Sequence, residues 1–262
     1  MCAISTHRPV SVRRFSMSGL TALILAAALP AHAEEEEDYP KLGPNAVSMT
    51  DDYGYLRSAD APDYWAFSPF TKPQFTTSAC GIASVTAAIN GLMGVPEMAS
   101  QTIMTQPDLL ELTGNADWIN VSAEGGDGVK FQQLVDFTNE ALAAVGLDRS
   151  VMQFSPTAAT DMARKQLVDL LAENEASADD AIMIYFNQGV VTGDWDGPHV
   201  ALVGAYDSAT DRVLILEVDQ EWYIPYWTSV DVLLEAMVKP TSAEHGVLEG
   251  ETGGVVMIRA AS

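Results

Sequence analysis

One cysteine and one histidine of this chain have the types and surroundings of a thiol nucleophile and its base. Cys80 precedes a segment whose apolar residues Ile82, Val85 and Ile89 recur at helical spacing. In the first turn of a helix, unpaired backbone N–H groups and the positive end of the helix dipole favour a thiolate. A thiol nucleophile needs a base within hydrogen-bond reach, and His199 is the candidate.

Two acidic residues are candidates to orient that histidine. Residues 199–206 and 212–218 read as two strands of a hairpin, and Glu217 and Asp219 lie near the end of the second strand. Residues that face each other across a hairpin share one face of the sheet, so folding it back brings one of these acids near His199. A carboxylate there would hold the imidazole in one tautomer and stabilise its charged form. The spacing leaves the choice between Glu217 and Asp219 open.

The segment before Cys80 supplies a candidate hydrogen-bond donor. Gln74 lies six residues upstream, and its side-chain amide is suited to stabilise a developing oxyanion. Ser78 is predicted to be the N-cap of the helix that carries Cys80. The competing interpretation is that Cys80 is a small buried side chain of the core, which is the commoner role for an unpaired cysteine.

The N terminus has the pattern of a secretory signal peptide. Three arginines precede an apolar run from Met17 to Leu29, and Ala31-His32-Ala33 is a cleavage sequence of the Ala-x-Ala kind. The run is too short to span a membrane. We therefore predict cleavage after Ala33, a periplasmic or secreted protein, and no membrane attachment after cleavage.

Loss of residues 1–33 would leave one cysteine, Cys80, and two histidines, His199 and His245. A single thiol cannot form an internal disulfide or a metal–thiolate cluster within the protein. The same cleavage removes three arginines and no acid, which changes the net charge from −23 to −26. Such acidity argues against nucleic acid or anionic membranes as partners. We expect no cofactor and no resident metal, and we interpret His245, in a polar loop, as a surface residue.

The order of predicted elements indicates an α+β fold. Residues 34–69 are expected to form an acidic tail and an irregular N-terminal arm, and residues 70–262 a single catalytic domain. Within it, residues 70–180 are predicted to form a helical lobe with Cys80, and residues 181–262 an antiparallel sheet lobe with His199. The first predicted helix runs from Gly81 to a stop signalled by Gly91, Gly94 and Pro96. The other predicted helices are parts of 98–112, 129–145 ending at Gly146, 157–173 with Pro156 at its start, and 231–238. The predicted strands are 182–186, 199–206, 212–218 and 254–259.

Several motifs in collinear order resemble the phytochelatin synthase family. They are Gln74 with Cys80-Gly-Ile-Ala-Ser84, the stretch from Gly197 to Tyr206, Leu-Ile-Leu-Glu-Val at 214–218, Tyr223-Ile-Pro-Tyr-Trp227, and Leu-Leu-Glu-Ala-Met at 233–237. The resemblance covers about residues 70–259. It implies a papain-like fold and an enzyme that attacks glutathione (γ-Glu-Cys-Gly), releases glycine, and passes γ-Glu-Cys to a second glutathione or to water.

Position by position, the resemblance implies that Cys80 is the nucleophile and His199 the base. It further implies that Glu217 is the acid of the triad and that Gln74 donates a hydrogen bond to the oxyanion. It also implies that Asn187, Gly197, Asp219 and Gln220 help to bind the substrate. The chain departs from the family at Glu217, where members carry Asp, and at Gln220 and Trp222, where members often carry Arg and Lys.

These departures keep two other functions open. One is a papain-like peptidase or amidase that cuts a different small peptide, and the other is a catalytically silent binding protein of the same fold. The sequence also leaves open the ratio of hydrolysis to transfer, delivery of the peptide as a heavy-metal thiolate, and a homodimer.

Overall fold

A computed structural model describes residues 42–261, which lie in one compact unit. The predicted signal peptide and most of the acidic tail lie outside the described residues. Seven strands form one sheet in the order β1-β6-β5-β4-β3-β7-β2, and every neighbouring pair is antiparallel. The strands are β1 Ala46–Ser48, β2 Arg149–Phe154, β3 Ala181–Asn187, β4 Pro198–Asp207, β5 Arg212–Leu216, β6 Tyr226–Ser229 and β7 Gly254–Ala260.

Helices occupy most of the remaining described chain. They are α1 Gly54–Ser58, α2 Pro62–Phe67, α3 Cys80–Met93, α4 Gln106–Thr113, α5 Ala116–Val121, α6 Phe131–Val145, α7 Asp161–Asn174, α8 Gln188–Thr192 and α9 Val230–Val238, with a short 3₁₀ segment at Ala243–Leu248. No helix between residues 42 and 261 combines the length and apolarity that crossing a bilayer requires.

The sheet is covered on both faces. Met183 and Tyr185 of β3 belong to one apolar cluster, which includes residues of α2, α3, α4 and α6. Ile182, Ile184 and Phe186 alternate with them and belong to a second cluster, which includes residues of α7 and α9. Side chains of successive strand residues point to opposite faces, so a strand buried on both sides has a continuous apolar run, as β3 does.

The predicted α+β class is confirmed, because helices pack on an antiparallel sheet. The division into a helical lobe at 70–180 and a sheet lobe at 181–262 is wrong in one respect. Strand β2, which the sequence analysis missed, comes from the first segment and pairs with β7 at the edge of the sheet. The predicted irregular arm also contains β1, α1 and α2 within its described part, and β1 pairs with β6 at the other edge.

Two further differences between the structure and the prediction concern the residues at which helices begin. Ala79, not Ser78, is the N-cap of α3, and the Ser78 hydroxyl instead donates to the carbonyl oxygen of Gly126 at 2.6 Å. Helix α7 begins at Asp161 with the Thr160 side chain as its cap, so Pro156 does not open it. A residue caps a helix when its short polar side chain accepts a hydrogen bond from the first helical turn. The Ser78 hydroxyl bonds instead to Gly126, in a loop distant in sequence, so Ser78 does not cap α3. The left-handed Gly146 at the end of α6 agrees with prediction.

Candidate active site

Cys80 is the first residue of α3, and its side chain is partly buried against the first apolar cluster. The sulfur lies close enough to the ring of His199 to act on the pKa of that ring, and both side chains line one cavity. Residues Gly81 to Asn90 of α3 are all buried, so packing on every side fixes the axis of the helix and with it the position of the sulfur. A Cβ on Gly81 would lie 2.9 Å from Val129 Cγ2, so glycine allows Val129 to pack directly beside the sulfur-bearing turn.

His199 lies at the start of β4 and is 3 % exposed. Its Nε2 lies 2.7 Å from Oε1 of Glu217, which leaves Nδ1 as the ring nitrogen available to Cys80. The ring of Phe186 packs edge-on against the imidazole, with centroids 5.7 Å apart. The imidazole is therefore held between a thiol and a carboxylate, in the order required of a base with its orienting acid.

Glu217 lies just after β5 and is fully buried. Its Oε1 accepts hydrogen bonds from the backbone N–H groups of Val218 (2.8 Å) and Asp219 (2.7 Å), and its Oε2 accepts one from Gln188 Nε2 (3.1 Å). These donors, together with His199, satisfy a carboxylate that would otherwise be costly to bury. Of the two candidate acids, Glu217 is the one bonded to His199.

The burial of this pair and its mutual attraction act in opposite directions on both pKa values. Burial acts to lower the pKa of His199, but the charge of Glu217 and the hydrogen bonds to Cys80 and Glu217 raise this pKa well above its ordinary value. Burial acts to raise the pKa of Glu217, but the charge of His199 and the hydrogen bonds from His199 and the backbone leave it lowered. The two groups therefore stabilise each other as imidazolium and carboxylate.

A β-bulge at Gly204 sets the face of the sheet on which both candidate acids lie. Leu202 pairs with Leu216, but beyond the bulge Ala205 pairs with Leu214, so β4 contains one extra residue. Extending the register from Leu202 puts Glu217 and Asp219, which are two residues apart, on the face that carries His199. Without the extra residue both acids would point to the opposite face, because a one-residue slip inverts the alternation.

Glycine is required at the bulge. A Cβ on Gly204 would lie 2.6 Å from Cγ of Leu216, a buried residue of the neighbouring strand. The Leu216 side chain therefore packs directly over the backbone at Gly204, where any larger residue would displace it.

Gln74 lies beside the same group of residues. Its backbone N–H donates to the carbonyl oxygen of Val218 at 2.8 Å, which fixes the approach to α3 next to Glu217. Its Nε2 makes only a long hydrogen bond of 3.4 Å, to the carbonyl oxygen of Thr77, and its buried Oε1 has no partner among the described residues. The side-chain amide is thus positioned near Cys80 with hydrogen-bonding capacity to spare.

These residues open onto a cavity of about 560 Å³. Gln74, Cys80, His199 and Asp219 all line it. The other three residues predicted to bind substrate do not. Asn187 caps α8 and donates to Asp196 at 2.7 Å, the Gly197 carbonyl accepts from the N–H of Gln188, and Gln220 donates to the backbone oxygen of Glu217 at 3.0 Å. Gln220 thus contacts the backbone of Glu217, Gly197 holds the start of α8, and Asn187 links α8 to Asp196.

Some cavity residues were missed by the sequence analysis. His245, interpreted as a surface residue, lines the cavity: its ring packs edge-on against Trp195 at 5.3 Å and its Nε2 donates to the carbonyl oxygen of Asp196 at 2.7 Å. Tyr185 and Asp127 line it as well. No local pattern distinguishes these residues, because they come from separate loops and a strand that meet only in the folded chain.

Among residues 42–261, no group of three or more His, Cys, Asp or Glu side chains has an arrangement that could hold a metal ion.

A family model described as phytochelatin synthase matches residues 47–245, which include Gln74, Cys80, His199 and Glu217. A search of curated proteins finds no match for the chain.

Proposed function

Because the chain belongs to the phytochelatin synthase family, we propose that it is a cysteine-dependent acyl-transfer enzyme that cleaves the γ-Glu-Cys–Gly amide of glutathione. In this proposal Cys80 is the nucleophile, His199 the acid and base, Glu217 the orienting carboxylate and Gln74 the oxyanion donor. The observation that carries the proposal is the His199–Glu217 hydrogen bond of 2.7 Å at a cavity that Cys80, His199 and Gln74 line together.

In the first step, the Cys80 sulfur attacks the carbonyl carbon of the cysteinyl residue of the peptide. Negative charge develops on the carbonyl oxygen, where the Gln74 Nε2–H group and the backbone N–H at the start of α3 are suited to stabilise it. His199, as imidazolium, gives its proton to the amide nitrogen. The carbon–nitrogen bond breaks, glycine leaves, and a γ-glutamylcysteinyl thioester remains on Cys80.

In the second step, His199 as neutral imidazole takes a proton from water or from the amine of a second peptide. The activated group attacks the thioester carbonyl, and the bond to sulfur breaks. Glu217 stabilises the imidazolium that forms, as it did in the resting enzyme. Water gives hydrolysis to γ-Glu-Cys, and a peptide amine gives a longer γ-glutamylcysteinyl peptide.

A second reaction of the same chemical class has its own supporting observation. The residues that line the cavity include no Lys or Arg in the described part of the chain, whereas glutathione carries two carboxylates. An amidase or peptidase that acts on a different small peptide is therefore the alternative, with Cys80 and His199 in the same roles.

Glycine release tests the main proposal. The protein is incubated with glutathione, and free glycine is measured together with the acyl adduct on Cys80 by mass spectrometry. We expect Cys80-dependent release, which Cys80→Ala and Cys80→Ser both abolish, and which Ser78→Ala, a neighbouring change of similar size, retains. Equal release by the wild type and Cys80→Ala would refute the proposed nucleophile, and Cys80-dependent cleavage of other peptides alone would favour the alternative.

We also propose that the protein is exported. The support is the pattern of residues 1–33, which lie outside the described residues. N-terminal sequencing of the protein recovered from the exported fraction is expected to begin at Glu34. An intact N terminus that begins at Met1 would contradict this prediction.

A further inference from the structure

We propose that Tyr185 is a further substrate-binding residue, whose hydroxyl forms a hydrogen bond with the acyl portion of the peptide that Cys80 attacks. The chemical group that it recognises is the amide that joins the γ-glutamyl group to cysteine. This inference rests on the proposed function, because that function places the reacting carbonyl carbon at Cys80.

The Tyr185 hydroxyl is buried and has no hydrogen-bond partner among the described residues. Tyr185 is 2 % exposed, and it lines the cavity together with Cys80. Most buried polar groups in proteins are hydrogen-bonded, because a buried group without a partner has lost its bonds to water and gained none. A ligand in the cavity would supply the missing partner, so this hydroxyl is suited to contact a ligand.

Packing and strand pairing hold Tyr185 in place. Its side chain belongs to the first apolar cluster, against which Cys80 also packs, and the ring of Phe131 meets it edge-on with centroids 6.0 Å apart. Its backbone pairs with Val200 of β4 on one side and with Gly254 of β7 on the other. The hydroxyl is therefore presented to the cavity by a residue that is fixed inside the sheet.

The hydroxyl lies near the Cys80 sulfur without being bonded to it. Burial raises the pKa of Tyr185, and the charge of Cys80 raises this pKa further, so the two groups are close enough to interact. No hydrogen bond joins the hydroxyl to the sulfur. An acyl group attached to the sulfur would therefore lie beside the hydroxyl, with room for a hydrogen bond between them.

Tyr185 and His199 reach the cavity from opposite faces of the sheet. Tyr185 pairs with Val200, and the next residues of the two strands, Phe186 and His199, pair with each other. Partners on neighbouring strands share a face, and successive residues of one strand alternate between faces. Since both Tyr185 and His199 line the cavity, they approach a peptide bound there from different sides.

The carbonyl carbon that Cys80 attacks has three substituents, and each has a different neighbour in the proposed mechanism. The leaving nitrogen faces His199, which protonates it, and the carbonyl oxygen faces Gln74. The third substituent is the acyl chain. Among residues 42–261, the buried polar side chains that line the cavity and have an atom without a partner are Gln74 and Tyr185, which leaves Tyr185 for that chain. The first hydrogen-bonding group along the chain is the γ-glutamyl amide, and a hydroxyl can donate to its oxygen or accept from its N–H.

Binding to Cys80→Ala under reducing conditions tests the assignment without turnover. Glutathione, γ-Glu-Cys and Cys-Gly are titrated calorimetrically, with and without the additional change Tyr185→Phe, which keeps the ring. We expect Tyr185→Phe to weaken the binding of glutathione and γ-Glu-Cys by about 10-fold. Cys-Gly lacks the γ-glutamyl amide and is expected to bind both proteins equally weakly. Equal affinities of both proteins for glutathione, an equal loss for Cys-Gly, or no binding of glutathione to either protein would overturn the inference.

Tyr206→Phe is the matched control, because it removes the hydroxyl of another buried tyrosine. Tyr206 is 5 % exposed and lies outside the cavity, and its hydroxyl bonds to Asp211 at 3.3 Å. This change is expected to leave the affinity for glutathione as it is. The Tm of Tyr185→Phe should equal or exceed that of the parent, because the free protein loses no hydrogen bond. A lower Tm for Tyr185→Phe, or an equal loss of affinity in Tyr206→Phe, would overturn the assignment.

Turnover with Cys80 in place separates this inference from the proposed function. Tyr185→Phe is expected to lower kcat/KM for glycine release from glutathione by about 10-fold and to leave the alkylation of Cys80 by iodoacetamide unchanged; equally slowed alkylation would place the effect on the sulfur and refute the inference. If Tyr185→Phe releases glycine as efficiently as the parent, the inference fails and the proposed function stands. If glutathione binding depends on Tyr185 but no peptide acylates Cys80, the proposed function fails and the binding contact stands.

Discussion

Replacement of Glu217 by Gln removes one negative charge from the site while it keeps the size of the side chain. The glutamine oxygen can still accept the hydrogen bonds that Val218 and Asp219 donate to Oε1. The imidazolium of His199 then has no carboxylate to stabilise it, and burial, which acts to lower the pKa of His199, is no longer opposed by a nearby charge. His199 is then expected to be a neutral imidazole near neutral pH.

The magnitude follows from the separation of the two charges. His199 Nε2 and Glu217 Oε1 are 2.7 Å apart, and two unit charges at that distance attract by about 6 kcal/mol at an effective dielectric constant of about 20. Glu217→Gln regains part of this free energy because it no longer buries a carboxylate. We therefore expect the imidazolium of His199 to lose about 3 kcal/mol of stabilisation. A loss of that size corresponds to a decrease of about 100-fold in the rate of acylation.

Alkylation of Cys80 measures this effect without any substrate. In a Cys2→Ser background Cys80 is the one remaining cysteine, so the rate of iodoacetamide labelling between about pH 5 and pH 9 reports the reactivity of this thiol. The parent protein is expected to label faster than Glu217→Gln, because Glu217 stabilises the imidazolium that forms when His199 takes the proton of the thiol.

Asp219→Asn is the matched control, because it removes the same charge from the residue that does not bond to His199. It should slow labelling at acidic pH much less than Glu217→Gln. If Glu217→Gln keeps the labelling profile of the parent, or if Asp219→Asn has the larger effect, the assignment of Glu217 as the orienting acid is refuted.

Three further changes test other parts of the structure. Gly204→Ala sets a methyl group against Leu216. We expect this change to lower the free energy of unfolding by about 1–3 kcal/mol and to slow the alkylation of Cys80. Leu216→Ala in the same chain should restore the alkylation rate. Tyr185→Phe removes a hydroxyl without a partner, so Tm should stay the same or rise while peptide binding weakens about 10-fold; a lower Tm would contradict this. Burial and the charges of Glu175 and Asp180 raise the pKa of the buried Asp63 to about 9, so the contribution of this group to stability is full below its ordinary pKa and is lost as the pH rises toward that value. Asp63→Asn should therefore flatten the decline of Tm with pH and stabilise the protein by about 4 kcal/mol at neutral pH, and an unchanged profile would refute the proposed protonation.

Much of the site could be predicted because its signals are local. The apolar spacing after Cys80 predicts α3, and the two strand-like runs around residues 207–211 predict the hairpin that carries His199 and Glu217. Helical and strand periodicity act over a few residues, so these elements are readable without knowledge of their neighbours.

The sequence alone did not decide which acid orients His199, because Glu217 and Asp219 are two residues apart and share one face of the strand. It also did not determine whether that face is the one that carries His199. One extra residue inverts the face on which every later residue lies. That extra residue is Gly204, and its close approach to Leu216 is a contact between two strands that no local pattern records.

The character of the cavity was likewise decided only by tertiary structure. Asp127, Asp194, His245 and Tyr185 are far apart along the chain and line one space only because the sheet and its loops bring them together. The amino-acid sequence determined the reactive groups and the elements that carry them. Packing determined which of those groups touch and what charge surrounds them, since both depend on contacts between residues that are distant in sequence.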